Sequence, residues 1–480
     1  MNQDMRYPTL EQFIAGEWRP GGDGVCGVVR NPATDEVLAE LPRASASDLD
    51  DALTAAQDAQ APWRRTPAMQ RASILLRAAA LLQERVESIA LTMTLEQGKT
   101  LAEARVELGA AIESFQWYAA EAGRAYGRII PARIPGARQM VIQEPIGPVA
   151  AFTPWNFPAN LPARKISAAL AAGCTMILKP SEETPASTLA LAQALADAGL
   201  PKGVLNVVLG VPDQISSHLI PSPVIRKVTF TGSVPVGRHL ARLAADHIKP
   251  CTLELGGHSA ALIFEDADLD TAIPLCALGK TRNAGQVCTS PTRFLVHESI
   301  HDEFVGRLVQ AMNGVRLGSG LDPSSQMGPL ANARRIAAME RIVNEAKSAG
   351  ARVEAGGERL GSVGNFFRPT VLTRVPTDSE PMNVEAFGPV AMVRPFSTVD
   401  DALSEANRLN YGLAAYAFTQ SAATAVQVSE ELEAGGVGIN SFAVGHTEAP
   451  FGGTKDSGYG YEGGVEGISA YLHSKYVHHA

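Results

Sequence analysis

Between residues 147 and 255, short apolar runs alternate with segments whose apolar residues recur every three or four positions. The runs at 147–152, 176–179, 204–209, 227–230 and 252–255 have the length of strands, and 166–172, 187–198, 214–220 and 236–245 have helical spacing. Strands joined by crossover helices in this way predict a doubly wound parallel sheet. Such sheets bind ligands at the carboxyl ends of their strands. Those ends are polar or rich in Gly and Pro here: 153–158, 179–185, Gly210, 231–233 and 254–257.

Upstream, residues 11–42 read as short strands broken by Gly21-Gly22, Asn31-Pro32 and Leu41-Pro42. Ser47-Asp48 is expected to cap a helix running to about Gln60. From 68 to 123 the pattern is helical: Ile74, Leu75, Ala78, Leu81 and Leu82 share one face, and Leu101, Ala104, Leu108 and Ile112 another. Gln97-Gly98-Lys99 marks the joint between two long helices. Residues 126–144 predict a hairpin about Pro135-Gly136, which needs something to pack on, plausibly another subunit. After Gly257 a second α/β unit follows, with strands at 261–264, 294–296, 390–394, 415–418 and 437–440 and helices at 302–312 and 334–349. A last strand at 475–477 is paired with the hairpin.

A chain of 480 residues accommodates two or three domains. The net charge of −9 argues against a nucleic-acid binder. Five cysteines, Cys26, Cys174, Cys251, Cys276 and Cys288, lack metal-like spacing, and an odd, low count points to free thiols in a reducing compartment. The first twenty residues have no apolar h-region and no run of about 18 apolar residues occurs, so a cytoplasmic protein without a membrane span is expected. His473, His478 and His479 read as tail residues, and no metal is expected.

Cys288 stands in Thr-Arg-Asn-Ala-Gly-Gln-Val-Cys-Thr-Ser, after a helical pattern and beyond Gly285, which permits a break. Backbone N–H groups near such a break are expected to stabilise a thiolate and later an oxyanion. On its own the residue reads first as a buried structural cysteine. Five further stretches change that reading: Pro154-Trp155-Asn156-Phe157-Pro158, Phe230-Thr231-Gly232-Ser233, Glu254-Leu255-Gly256-Gly257, Glu385-Ala386-Phe387-Gly388-Pro389 and Pro450-Phe451-Gly452-Gly453. In this order, together with Cys288, they closely resemble the NAD(P)-dependent aldehyde dehydrogenase superfamily over residues 18–476.

The resemblance implies an α/β fold in three parts: an NAD-binding Rossmann-type domain (1–124 and 145–256), a catalytic domain (257–456) and a small β oligomerisation arm (125–144 and 457–480), in a homodimer or homotetramer. It implies Cys288 as nucleophile, the Asn156 amide with the Cys288 N–H as oxyanion donors, and Glu254 as the base that activates water. The cofactor is expected to be NAD, with NADP possible. Lys179 and Glu182 would hold the adenosine ribose, where a carboxylate disfavours a 2′-phosphate. Thr153, Pro154, Trp155, Ser181, Gly210, Phe230, Thr231, Gly232 and Ser233 complete that site, with Glu385 and Phe387 toward the nicotinamide riboside and ring. No Gly-x-Gly-x-x-Gly follows a strand; Gly232-Ser233 with Gly237 instead opens a helix whose start suits a phosphate.

Within the superfamily the chain resembles the succinate-semialdehyde and 2-oxoglutarate-semialdehyde dehydrogenases. Arg164 and Arg282 match that branch's carboxylate-binding positions, with Phe157, Gly445 and Phe451 lining the substrate site. Two departures stand out: Gly445 replaces the usual serine of succinate-semialdehyde enzymes, and Ser290 replaces a second cysteine, so no Cys-x-Cys disulfide is expected. The competing readings are an enzyme for uncharged aldehydes, a CoA-acylating relative, against which Glu254 argues, and a silent structural or NAD-binding relative, against which Cys288 and Asn156 argue.

Overall fold

The computed structural model describes residues 7–480, so the first six residues of the amino-terminal part lie outside it. The five parallel strands are Val149–Phe152, Met176–Lys179, Leu205–Val207, Lys227–Thr231 and Cys251–Glu254. Numbered by their order in the chain, they lie 3-2-1-4-5 across the sheet. The direction of winding therefore reverses between Val149–Phe152 and Lys227–Thr231, where a crevice opens at the carboxyl ends. Gln12–Ile14 and Glu17–Arg19 extend one edge antiparallel.

Alternate residues of these strands enter two cores. Val149, Ala151, Met176, Leu178, Leu205 and Val207 face Leu75, Leu82, Leu108, Phe115, Ile166 and Leu170. Ala150, Phe152, Ile177, Val228, Phe230 and Leu253 face Ala52, Ala56, Ile215, Leu219 and Leu240. Burial on both faces explains why the strands read as continuous apolar runs instead of alternating ones.

The second sheet has seven strands, ordered by position 352–355, 370–373, 390–396, 293–297, 260–263, 414–418 and 436–439. Only Arg352–Ala355 runs antiparallel to its neighbour. Arg352–Ala355, Thr370–Thr373 and the helices Val399–Asn407 and Ala422–Glu431 are additions to the sequence reading. Gly256 onward links the two sheets, with Leu255 N–H donating to Ser457 O (3.0 Å) and Ser457 Oγ donating to Gly256 O (2.8 Å).

Several local expectations change. The first helix, Ala46–Arg65, is capped by Ser45: its side chain accepts from Asp48 N–H, and the Asp48 carboxylate accepts from Ser45 N–H. The region 68–123 holds three helices, Ala68–Glu84, Val86–Gln97 and Leu101–Ala122, with an extra break at Arg85. The arm is narrower than 457–480. Gly458–Tyr459 instead adds an antiparallel edge to the first sheet beside Cys251–Glu254, because Gly458, at φ +112, brings its backbone against Leu253. Leu472–His479 pairs over its full length with Arg138–Pro145, which pairs with Arg128–Ile130. This three-stranded arm leaves Ile129 82 % and Tyr476 57 % exposed. Among the described residues no helix is long and apolar enough to cross a membrane.

Candidate active site

The helix Leu269–Thr281 ends seven residues before Cys288, and it approaches from the end that presents carbonyls, not N–H donors. The chain then reverses through Asn283, Ala284 and Gly285, all left-handed at φ 50, 52 and 71. Gly285 is obligatory there, since a Cβ would lie 2.2 Å from Gly388 O. Asn283 tolerates the conformation, whereas Ala284 carries strain of about 1–2 kcal/mol, offset by its burial beside Leu330 and Met339. The turn delivers Cys288, half-buried, to the space between the two sheets.

Asn156 is buried just beyond the strand Val149–Phe152. Its Nδ2 donates one hydrogen to Gln286 O (3.0 Å), which leaves the second free beside the thiol loop. Among the described residues no partner satisfies its Oδ1, and no backbone acceptor pairs with the Cys288 N–H. Glu254 ends the strand Cys251–Glu254, and both its carboxylate oxygens are buried without a partner. Burial, then the nearby Glu462 carboxylate, push its pKa up to about 8, against the pull of Lys165, Arg164 and the neighbouring Cys288 thiol.

The thiol itself is held well above its usual range by burial and by Glu254 and Glu385, which outweigh Arg164 and Arg282. Burial and the neighbouring carboxylates thus favour the neutral thiol over the thiolate, and the raised pKa of Glu254 favours its protonated form at neutral pH. Arg164 is buried, donates to Gly445 O and lies over the Phe451 ring (5.1 Å to the centroid). Arg282 is exposed over Phe157 (5.6 Å). Among the described residues neither arginine forms an ion pair with a carboxylate. At Gly445 a Cβ would find nothing closer than 3.9 Å, so the position is open.

A cavity of about 440 Å³ lies in the crevice at the strand reversal, and Thr153, Pro154, Lys179, Ser181, Glu182, Phe230, Thr231 and Gly232 line it. Lys179 Nζ donates to Glu182 at its wall. Val236 and Leu240, one turn apart on the helix Val234–Ala245, and Pro212 opposite add apolar surface; only their helical spacing could have signalled this. Ser233 stands at the start of that helix. Gly210 does not line the cavity; at φ +146 it packs against Ala44 and Ile215. Trp155 meets Phe387 edge-on (5.4 Å). The half-buried Glu385 accepts from Gly257 N–H (3.2 Å), and desolvation of its carboxyl pushes its pKa up to about 7. A larger cavity, about 860 Å³, lies at the base of the arm beside Arg64, Glu144 and Lys475, and no predicted site residue lines it.

A profile of the aldehyde dehydrogenase family matches residues 18–477. The chain belongs to that family. As such it is an oxidoreductase acting on aldehydes with NAD or NADP. The dehydrogenase is 50 % identical over 473 residues to 4-(hydroxymethyl)benzenesulfonate dehydrogenase of Comamonas testosteroni, covering 98 % of each chain. It is 43 % identical over 477 residues to 3-sulfolactaldehyde dehydrogenase of Pseudomonas putida, covering 99 % of this chain and 98 % of that one. The solved succinate-semialdehyde dehydrogenase of Burkholderia pseudomallei superposes with a TM-score of 0.97 at 40 % identity, covering 100 % of this chain and 99 % of that one. The crevice suits the dinucleotide. The buried Thr153 and Thr231 hydroxyls lack partners among the described residues, and at Gly232 a Cβ would strike the Phe230 ring at 2.4 Å, so the backbone there stays bare.

Proposed function

We propose that the dehydrogenase oxidises an aldehyde with an anionic group at its far end, a semialdehyde such as 2-oxoglutarate or succinate semialdehyde, to the corresponding acid. One observation carries this reading: two guanidinium groups, Arg164 over Phe451 and Arg282 over Phe157, flank the Cys288 site and, among the described residues, neither forms an ion pair with a carboxylate. A guanidinium fork pairs with a carboxylate through two hydrogen bonds and so orients the aldehyde over sulfur. A sulfonate in place of the carboxylate is the second reading. The names of the two sulfonate-handling relatives and the open position at Gly445 favour it.

In this reading Cys288 sulfur attacks the carbonyl carbon while its proton moves to the neighbouring ionised Glu254. The second Asn156 amide hydrogen and the Cys288 N–H meet the developing oxyanion. The chemistry a bound nicotinamide supplies is acceptance of the aldehyde hydrogen with its two electrons, which leaves a thioester on sulfur. Glu254 gives the thiol proton to solvent and, ionised again, takes a proton from water as the oxygen attacks the thioester carbon; the carbon–sulfur bond breaks, and the departing sulfur takes that proton from Glu254.

Lys179 and Glu182 would hold the adenosine ribose, and the Glu182 carboxylate favours NAD over NADP. The exposed arm is read as a contact between copies in a dimer or tetramer. Arg164→Leu and Arg282→Leu test the substrate assignment. A hydrogen bond to a charged group is worth about 1.5–3 kcal/mol, so each should raise KM for an acidic aldehyde by roughly 10- to 150-fold and leave KM for propanal nearly unchanged. Equal effects on both aldehydes would refute the anion-binding role.

A further inference from the structure

We propose that Lys99, acting with Glu103 and Glu107, is a positioning residue that sets the Asn156 amide against Cys288. The inference rests on the reading of Asn156 as an oxyanion donor. Lys99 stands just before the helix Leu101–Ala122, after Gly98, whose left-handed backbone (φ 96) is wedged between Pro32 and Pro329. That wedge pins the start of the helix. Thr100 caps it, and Glu103 Oε2 accepts from Thr100 N–H (2.9 Å). The other oxygen, Glu103 Oε1, accepts from Asn283 N–H (2.7 Å) and so holds the left-handed turn before the thiol.

One turn further along the same face, Glu107 accepts from Ala159 N–H (2.8 Å), Asn160 N–H (3.2 Å) and Lys99 Nζ. Lys99 Nζ also donates to Asn156 O (2.9 Å) and lies over the Phe157 ring (4.3 Å). The Asn156 carbonyl receives a second donor, Asn283 Nδ2 (2.9 Å). A single helix start thus grips the loop that carries Asn156 and the loop that carries Cys288, and the two loops are bonded to each other through Asn283.

The Lys99 and Glu107 side chains are each 1 % exposed. A buried ion pair is commonly matched or exceeded in stability by an apolar pair of the same volume, so its directional bonds are better explained by registration of the two loops. Misplacement by about 1 Å is enough to cost on the order of 100-fold in rate.

The test is a mutant cycle on kcat and KM of the full-length enzyme with NAD and succinate semialdehyde. It uses Asn156→Ala, the pair Lys99→Met with Glu107→Gln, which leaves no orphaned charge, and all three together. Losing an oxyanion donor costs about 100- to 1,000-fold, so Asn156→Ala should lower kcat by at least about 100-fold. The pair should lower kcat by at least about tenfold while KM for the aldehyde stays within about threefold. In the Asn156→Ala background it should cost under about threefold, because the group it positions is gone. Asn283→Gly suits the left-handed turn and removes the second donor to Asn156 O; it should behave alike and serves should the pair variant unfold. If Asn156→Ala loses activity but the losses multiply, or the pair leaves kcat intact, the positioning role falls and the reading of Asn156 stands. If Asn156→Ala leaves kcat unchanged, both fall.

Discussion

Glu254 is a carboxyl whose ionised form the fold penalises. Neither oxygen has a partner, Glu462 lies nearby, and the pKa rises from 4.5 to about 8. At about 1.36 kcal/mol per pH unit, the gap is worth a ceiling of about 5 kcal/mol. Because the folded pKa is the higher one, this contribution to stability is complete below pH 4.5, is lost progressively as pH rises toward 8, and changes no further above that. Glu254→Gln cannot ionise and should escape the loss. At about 2.1 cal/mol/K of unfolding entropy per residue, 480 residues give roughly 1 °C per kcal/mol, so the Tm of the variant should gain on wild type by up to about 5 °C between pH 5 and pH 8.5. Comparing the two proteins cancels the other raised groups, Glu96 and Glu385, which titrate in both. Melting curves by scanning fluorimetry across that range provide the assay. Glu254 must be ionised to accept a proton, so wild-type kcat/KM should also climb to a plateau with a midpoint near pH 8, and the variant should lose turnover at every pH. Parallel melting profiles for the two proteins, or a wild-type rate that falls as pH rises from 7 to 9, would refute the reasoning.

Wild type should favour NAD over NADP in kcat/KM, and Glu182→Ala should lower that ratio about tenfold, the worth of roughly 1.4 kcal/mol of charge repulsion; a wild-type preference for NADP would overturn the ribose assignment. Gly285→Ala combines a left-handed backbone cost of about 1–2 kcal/mol with a clash on Gly388 O, and should depress both Tm and kcat; an unaffected kcat would show that the turn does not place the thiol. Ser290 Oγ donates to Gly279 O (2.9 Å) where a resolving cysteine would sit, so peroxide should give no intramolecular disulfide at Cys288, as peptide mass mapping before and after DTT would show.

The parallel strands were legible because burial on both faces makes each an apolar run ended by Gly, Pro or a polar residue. Two strands of the second sheet were not: Arg352–Ala355 is a half-exposed edge that alternates charged and apolar residues, and in Thr370–Thr373 only Val371 and Leu372 are apolar. The cap fell on Ser45 because Asp48 sits three residues later and closes the reciprocal pair, a stronger signal than the adjacent Ser47-Asp48. At the site, motif residues named the candidates, and the structure brings Asn156, Cys288, Glu254 and Arg164 near one another from separate stretches. Their protonation was not legible, because it depends on burial and on Glu462 and Lys165, which lie far from Glu254 in sequence. Nor was the proposed role of Lys99, which read only as a joint between helices; its contacts are with residues 57 and more positions away or about two turns along the helix.

The central claim is that paired arginines select an anionic aldehyde. The direct measurement is kcat/KM with NAD for succinate semialdehyde, 2-oxoglutarate semialdehyde, a short sulfonated aldehyde and an uncharged aldehyde of similar length. The account predicts that an anionic aldehyde wins by at least about tenfold, or roughly 1.4 kcal/mol of differential binding, with the best head group naming the substrate class. An uncharged aldehyde that matches the anionic ones would contradict it and leave Arg164 and Arg282 as structural residues.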